Sequence, residues 1–339
     1  MITPDATTRE TLRQLITGFR ASDLIAAAAE LGLADLLADG PRSSAELAER
    51  AGADPDALHR VLRALAQLGV FAMLDDGRFA LTPLGEPLRS DVPGSLRPLA
   101  RFWGIDSQRR PWLSLPHTIR TGQTAFDHIY GVSWIEYLAA HPDVAAIFNA
   151  GMTGLTAAVT DAVVAAYDFS PFGTIVDVGG GNGTLMAAIL AAHPGPRGIV
   201  FDLPHARDGA LERLSAAGPA ARCEFVGGDF FESVPTGADA YLLKWIIHDW
   251  DDQRSVAILR ACRRAMAPGS KLLIVERLLP PGNEPAPDVV LGDILMLVHT
   301  GGRERTAAEY RALLEAADLR LARTVATSTP FSVLEAVPT

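Results

Sequence analysis

The segment Val176-Asp177-Val178, followed by Gly179-Gly180-Gly181-Asn182-Gly183 and then Thr184-Leu185-Met186-Ala187-Ala188-Ile189-Leu190, constrains this chain more than any other. It predicts a buried strand, a glycine turn and the start of a helix. Glycines belong where the backbone takes positive φ or approaches a ligand closely. In an open α/β sheet, a turn at the carboxyl end of a strand is where a nucleotide is held. The glycines stand at 179, 180, 181 and 183, which is not the G-x-G-x-x-G spacing of the dinucleotide fingerprint. The turn alone therefore predicts a nucleotide-like cofactor without saying which one.

From residue 173 onward, strand patterns alternate with helical ones. Strands are expected at Thr174–Val178, Gly198–Asp202, Cys223–Gly227, Ala238–Lys244 and Lys271–Glu276, with helices between them. That alternation gives a doubly wound parallel sheet. The end differs: Leu319–Thr327 and Phe331–Val337 flank only Ser328-Thr329-Pro330, and two strands joined by so short a turn run antiparallel.

The N-terminal third reads differently. Apolar residues recur at spacings of three and four over 8–39, the mark of one helix face. Ser43-Ser44-Ala45-Glu46 resembles a capping box opening a short helix over Leu47 to Ala51, and Asp54-Pro55 opens another carrying Leu58, Val61, Leu62, Leu65 and Leu68. An acidic-glycine turn at Asp75-Asp76-Gly77 joins two short apolar runs as a hairpin. Helices and hairpin together predict a winged helix. Residues 83–122 hold six prolines and read as a connector, and helical spacing returns over 132–167. The expected division is a winged-helix domain at 1–100 and a cofactor-binding domain at 101–339, with 101–170 a helical connector.

Bulk properties narrow the function. The 339 residues are 48% hydrophobic and 21% charged, as for a globular protein with a large core. A net charge of −10 repels phosphate backbones, so no nucleic-acid partner is expected. Cys223 and Cys262 lack metal-like spacing and imply a reducing compartment. No metal site is expected. No signal peptide, no membrane span and a cytoplasmic location are the expectations.

Three segments carry the chemistry. Phe201-Asp202-Leu203-Pro204 ends the second strand of the sheet with an acid suited to two ribose hydroxyls, or simply with a helix cap. The third ends in Gly227-Gly228-Asp229-Phe230-Phe231, an acid and an aromatic fit to hold an adenine amino group and stack on its ring. A nicotinamide cofactor would need room for a second nucleotide. Together with the closing antiparallel hairpin, this favours S-adenosylmethionine by fold-level analogy. The fourth strand runs into Lys244-Trp245-Ile246-Ile247-His248-Asp249-Trp250, placing His248 past the carboxyl edge of the sheet. With an unperturbed pKa of ~6.5, histidine can be a neutral base near pH 7 and take a phenolic proton as the oxygen attacks a methyl group. Glu276, at the end of the fifth strand, and Glu304 are candidates to orient that imidazole. The plainer alternatives are a surface strand end for Glu276 and a solvated ion pair with Arg303 or Arg305 for Glu304.

The ordered segments VDVGGGNG, FDLPH, GGDFFESVP, LKWIIHDWDD, LLIVERLLPP and GGRERT resemble the small-molecule O-methyltransferases of the caffeic acid O-methyltransferase type, over nearly the whole chain. Bacterial members methylate aromatic polyketides, phenazines and related natural products. The resemblance implies an α/β Rossmann-like methyltransferase domain behind an N-terminal winged-helix dimerisation domain. It implies His248 as catalytic base flanked by Glu276 and Glu304. Cofactor contacts are implied at Gly179, Gly181, Asp202, Leu203, Asp229, Phe230 and Lys244, with Thr156 near the methionine carboxylate. It places Phe148, Asn149 and Met152 on a helix lining the substrate pocket and Asp249 beside the substrate hydroxyl; Trp103, Trp245 and Met296 are further candidates for an aromatic wall. It implies a homodimer and an aromatic small-molecule substrate. Plant members usually carry one more residue in the loop matching Met296–Gly301, a departure that bears on the substrate. Two other functions fit parts of the pattern: the same fold and cofactor with drifted chemistry (hydroxylation, decarboxylation or C-methylation), and a winged-helix ligand-sensing regulator using His59, Arg60 and Arg63.

Overall fold

The computed structural model describes residues 6–282 and 284–339. The chain divides into two compact units: one is the chain up to Arg110 together with Pro142–Leu155, the other Pro111–His141 together with Thr156–Thr339.

In the first unit, the helical stretch expected over 8–39 is broken into Ala6–Thr17, Phe19–Glu30 and Leu33–Leu36. Gly32, at φ 64°, makes the second break. The capping box at Ser43 forms, with Glu46 N donating to Ser43 Oγ and Ser43 N to Glu46 Oε2. The helix it opens starts at Ser44, earlier than Leu47, because the cap itself fixes the first turn. Asp54 caps Pro55–Gln67 from one side, its Oδ1 accepting from Ala57 N at 2.8 Å. Strands β1 (Phe71–Met73) and β2 (Phe79–Leu81) pair antiparallel as the hairpin. Leu47, Leu62, Leu65, Phe71 and Phe79 close a core under them.

The proline-rich connector is helical rather than broken, forming Arg97–Gly104, Asp106–Leu113 and Leu115–Thr121. Pro98 and Pro116 sit in first turns, where the missing N–H has no intrahelical partner to lose. The spacing over 132–167 becomes Trp134–Ala140 and Pro142–Ala166.

The second unit holds the large sheet: β3 (Thr174–Val178), β4 (Arg197–Asp202), β5 (Cys223–Gly227), β6 (Ala240–Lys244), β7 (Lys271–Leu279), β8 (Arg305–Thr306), β9 (Leu319–Ala326) and β10 (Phe331–Pro338). The order is β5-β4-β3-β6-β7-β10-β9, with β8 attached beside β7. Strands β3 to β7 are parallel, and β10 runs antiparallel to both β7 and β9. The chain winds β3, β4, β5 in one direction and restarts at β6 on the other side of β3. This reversal opens a crevice at the carboxyl edge, the place where α/β sheets hold ligands. Apolar clusters cover both faces. Strand β6 begins at Ala240 rather than Ala238; just before it, the Asp239 carboxylate accepts from the N–H groups of Gly173 and Thr174 at 2.8 and 2.9 Å. Strand β7 continues three residues past Glu276, paired by β10 through Arg277 and by β8 through Leu278 and Leu279. No single helix among the described residues is long and apolar enough to cross a membrane.

Candidate active site

The glycine turn follows β3 directly, with Gly179, Gly181 and Gly183 at φ 72°, 55° and 71°. Gly179 also faces Ile246 and Phe230 closely: a Cβ there would lie 2.4 Å from Ile246 Cδ1. Nothing within 4 Å crowds the same position at Gly181. The turn is tied to the end of β4, since Asp202 Oδ2 accepts from Gly181 N at 2.7 Å and Oδ1 from Leu203 N at 2.6 Å. Gly228 N donates to Asp202 O, drawing the end of β5 to the same edge. There Asp229 is exposed and its Oδ1 accepts from Phe231 N, while Phe230 packs edge-on against Phe231 and Trp250.

Beneath the turn lie Asp177, a buried acid that sequence reasoning did not single out as a site residue, and the expected Lys244, which is half-buried. Asp177 is 2% exposed, its Oδ2 has no partner, and burial pushes its pKa up to about 7 against the pull of Lys244. Lys244, at the end of β6, is pulled down by burial and held up by Asp177 and Glu276.

His248 lies in the short turn Ile247–Asp249 just after β6. The turn begins at Trp245, whose φ of 56° is a costly conformation for a bulky residue, on the order of 1–3 kcal/mol, of the kind concentrated at functional sites. Glu276 is fully buried and its Oε1 accepts from the N–H groups of Ile246, Ile247 and His248 at 3.1, 3.0 and 3.3 Å. It is therefore neither a strand end nor a surface group; it holds the turn. The carboxylate of Glu304 is buried as well, with Oε1 3.2 Å from His248 Nδ1 and 2.6 Å from Arg277 Nη2. The solvated pair with Arg303 or Arg305 does not form. Arg303 N instead donates to His248 O, and Arg305, 1% exposed, donates to Ile247 O, Trp250 O and Asp252. Gly302 makes this crossing possible, since a Cβ there would fall 2.0 Å from His248 O. On the other side of the ring, Asp249 Oδ1 lies 3.7 Å from Nε2.

The electrostatics follow from this packing. Burial pushes the His248 pKa down, but Glu276, Asp249 and Glu304 overcome it and raise it to about 9. The resting imidazole thus holds its proton more tightly than the unperturbed ~6.5 expected of a free histidine. Burial also raises Glu276, to about 7, although His248 pulls it down. Glu304 stays below its ordinary value: burial pushes it up, while the hydrogen bond and charge of His248, together with Arg277, outweigh that. The donor atoms of His248, Glu276 and Glu304 lie within 4.8 Å of one another, close enough to surround a cation. The Arg277 guanidinium already supplies a positive group at Glu304.

The remaining candidates distribute between the units. Trp245 lies near-parallel to the His248 ring at 6.2 Å and packs against Phe331. Thr156 and Met296 are buried in the same unit. Trp103, Phe148, Asn149 and Met152 belong to the other unit, where Phe148 packs on Phe102 and Asn149 is exposed. Sequence patterning missed Arg277 and Asp293. Arg277 directly follows Glu276 in the LLIVERLLPP segment, and a basic residue next to a candidate acid was the available signal. Asp293 accepts from Glu304 N across eleven residues, which no local pattern shows.

Comparison with known proteins agrees with this architecture. Residues 112–320 match an O-methyltransferase domain, and residues 13–91 match an O-methyltransferase dimerisation domain. A phenazine O-methyltransferase of Lysobacter antibioticus is 48% identical over 96% of this chain and 95% of its own length. The crystal structure of LaPhzM has a TM-score of 0.94 at 47% identity, covering 98% of this chain and 99% of that one. NcsB1, solved with S-adenosylmethionine and 2-hydroxy-5-methyl naphthoic acid, has a TM-score of 0.82 at 35% identity over 94% and 96% of the two chains. With a dimerisation domain ahead of a catalytic domain and this extent of likeness, the chain belongs to the O-methyltransferase family.

Proposed function

We propose that this enzyme transfers a methyl group from S-adenosylmethionine to a hydroxyl of an aromatic small molecule, with His248 as general base. The cofactor is that of the family. A cation suits the edge it would meet: Asp177 presents an orphaned carboxylate oxygen beneath the glycine turn, and Asp202 lies close enough for the two carboxylates to interact. Gly179, Gly181, Asp202, Leu203, Asp229, Phe230, Lys244 and Thr156 are the residues we assign to holding the cofactor. When bound, the cofactor supplies an electrophilic sulfonium methyl.

The observation that carries the base is the one-sided partnership of the imidazole. Glu304 accepts from Nδ1–H, so the exchangeable proton is the one on Nε2; with a pKa of about 9 the ring rests as imidazolium near neutral pH, and the form that has released this proton, with a free Nε2 lone pair, is the base. Nε2 then accepts the phenolic proton as the substrate oxygen becomes a nucleophile, and Asp249 stands where it can orient that hydroxyl. Glu276 keeps the turn from moving by holding three consecutive N–H groups. Loss of such a base costs about 10²–10⁴-fold in rate. The intact His248, Glu276 and Glu304 set favours methyl transfer over drifted chemistry, and the net charge of −10 disfavours a DNA-binding role.

The relatives point to the acceptor class: one is a phenazine O-methyltransferase and another binds a naphthoic acid. We assign this enzyme to the tailoring of a phenolic natural product, with Trp245 and Met296 as the acceptor-facing residues of the unit that holds His248. We also assign it a homodimeric state. Leu12, Leu15, Ile16 and Phe19 expose apolar side chains along the first two helices, next to or within the dimerisation match. Incubation with methyl-labelled S-adenosylmethionine and a panel of hydroxyphenazines, hydroxynaphthoates and simple phenols tests the assignment. A labelled methyl ether is expected; product with no added methyl, or methyl on carbon, overturns it.

A further inference from the structure

We propose that Arg277 is a positioning residue for methyl transfer: its guanidinium locks the Glu304 carboxylate against Nδ1 of His248 and offsets the acidic charge around that ring. The inference rests on His248 being the base.

Four observations carry it. Arg277 Nη2 donates at 2.6 Å to Glu304 Oε1, the same oxygen that faces His248 Nδ1. The other oxygen, Glu304 Oε2, is buried without a hydrogen-bond partner, so without Arg277 the 3.2 Å contact with His248 Nδ1 is the one side-chain hydrogen bond left to oppose rotation of the carboxylate. The guanidinium has a built seat. It lies over the Phe331 ring at 5.8 Å, and Phe331 packs on Trp245, which lies beside His248. The seat also needs a bare helix surface: at Gly292, in the helix Pro287–His299, an added Cβ would fall 2.5 Å from Arg277 Nη2 and 2.9 Å from its central carbon. One residue further along that helix, Asp293 fixes the backbone of Glu304 at 2.9 Å. Side chain and backbone of the glutamate are thus held from two elements.

The charges facing this centre are Glu276 and Arg277 on β7, Glu304, Arg303 and Arg305 on the segment entering β8, Asp293 on the helix Pro287–His299, Asp249 on the turn, Lys244 on β6, and the Tyr310 hydroxyl. Among them Arg277 is the cation bonded directly to the partner of the base. Removing it takes a positive charge from beside an imidazolium, so the imidazolium gains stability and the base is harder to free. The acidic limb of the pH–rate profile, where neutral His248 appears, then moves to higher pH.

The test is the pH dependence of kcat for the wild type, Arg277→Met, Arg277→Lys and Gly292→Ala, with KM for S-adenosylmethionine and Tm recorded for each. Arg277→Met is expected to move the acidic limb up by about one unit, a tenfold loss of rate at fixed pH on that limb, with KM for the cofactor unchanged. Arg277→Lys, which restores the charge, returns the limb most of the way. Gly292→Ala keeps the arginine but displaces it, and raises helix propensity, so it separates misplacement from misfolding; it is expected to shift the limb in the same direction as Arg277→Met. A limb that stays at its wild-type position in Arg277→Met and Gly292→Ala, with rates lowered equally at every pH, shows a merely structural salt bridge and overturns the proposal while leaving the base intact. A wild-type profile with no acidic limb removes the base and this inference together.

Discussion

Two buried glutamates on neighbouring antiparallel strands, three positions apart along the ladder, are treated in opposite ways. Glu335 on β10 lies opposite Leu273, and Glu276 on β7 lies opposite Ser332. Glu335 is surrounded by donors: Tyr167 Oη at 2.7 Å, Lys271 Nζ at 2.9 Å and Arg323 Nε at 2.8 Å. Burial raises its pKa, but those three partners outweigh it and the carboxyl sits below its ordinary value. Glu276 has only backbone N–H groups on one oxygen and no hydrogen bond on the other, which lies 3.9 Å from His248 Nδ1, and its pKa rises to about 7. A buried polar group left short of partners costs stability, and such groups concentrate where proton chemistry occurs. The acid toward the amino end of β7 is completed for stability; the one toward its carboxyl end is left incomplete for use.

The contrast can be broken most severely at the ring that the incomplete acids serve. His248→Ala is expected to lower turnover by about 10²–10⁴-fold while S-adenosylmethionine still binds, checked by steady-state rates and calorimetry. Retention of the wild-type rate would leave the incomplete acids without a purpose. Next comes Glu276→Gln, which keeps an oxygen for the three N–H groups but removes the charge. The charge of Glu276 helps raise the His248 pKa to about 9, so its loss lowers that pKa toward 6.5. The acidic limb of the rate profile should then move to lower pH, opposite to the shift expected from removing the arginine on Glu304. At the completed acid the effects change in kind. Glu335→Gln gives up a buried charge that accepts three hydrogen bonds, a loss of about 1.5–3 kcal/mol for a charged hydrogen bond, read as a lower denaturation midpoint with kcat unchanged. The smallest effect belongs to Arg323→Ala: its side chain is 57% exposed, and an exposed ion pair contributes about 0–1 kcal/mol.

The sequence showed the two ends of the site unequally. The glycine turn and Asp202 are local: a strand pattern, three glycines at positive φ and an acid ending the next strand can be read without knowing any tertiary contact. The capping box at Ser43 and the closing hairpin are legible for the same reason. The helical spacing over 8–39 hid two breaks, because periodicity registers the apolar face and passes over Gly18 and Gly32. The prolines of the connector read as breakers, although a proline in a first turn starts a helix as readily as it ends one. Around His248 the residue types were visible but the partners were not. Glu276 was expected at a strand end, and it became buried because β10 and β8 extend the pairing of β7 beyond it. Glu304 stands between Arg303 and Arg305 in sequence, yet its cation is Arg277, supplied by β7. Ion-pair choice across 27 residues is decided by packing, here by the space at Gly292 and the ring of Phe331.

The central claim is that the incomplete acids hold His248 as a tightly protonated base with Nδ1 fixed and Nε2 free to exchange its proton. The most direct measurement is a ¹⁵N NMR titration of the His248 imidazole in the cofactor-free enzyme, assigned by its absence in His248→Ala. The account predicts a midpoint well above 6.5, with Nδ1 protonated throughout and Nε2 losing its proton. A midpoint at or below 6.5, or a neutral ring carrying its proton on Nε2, would contradict it.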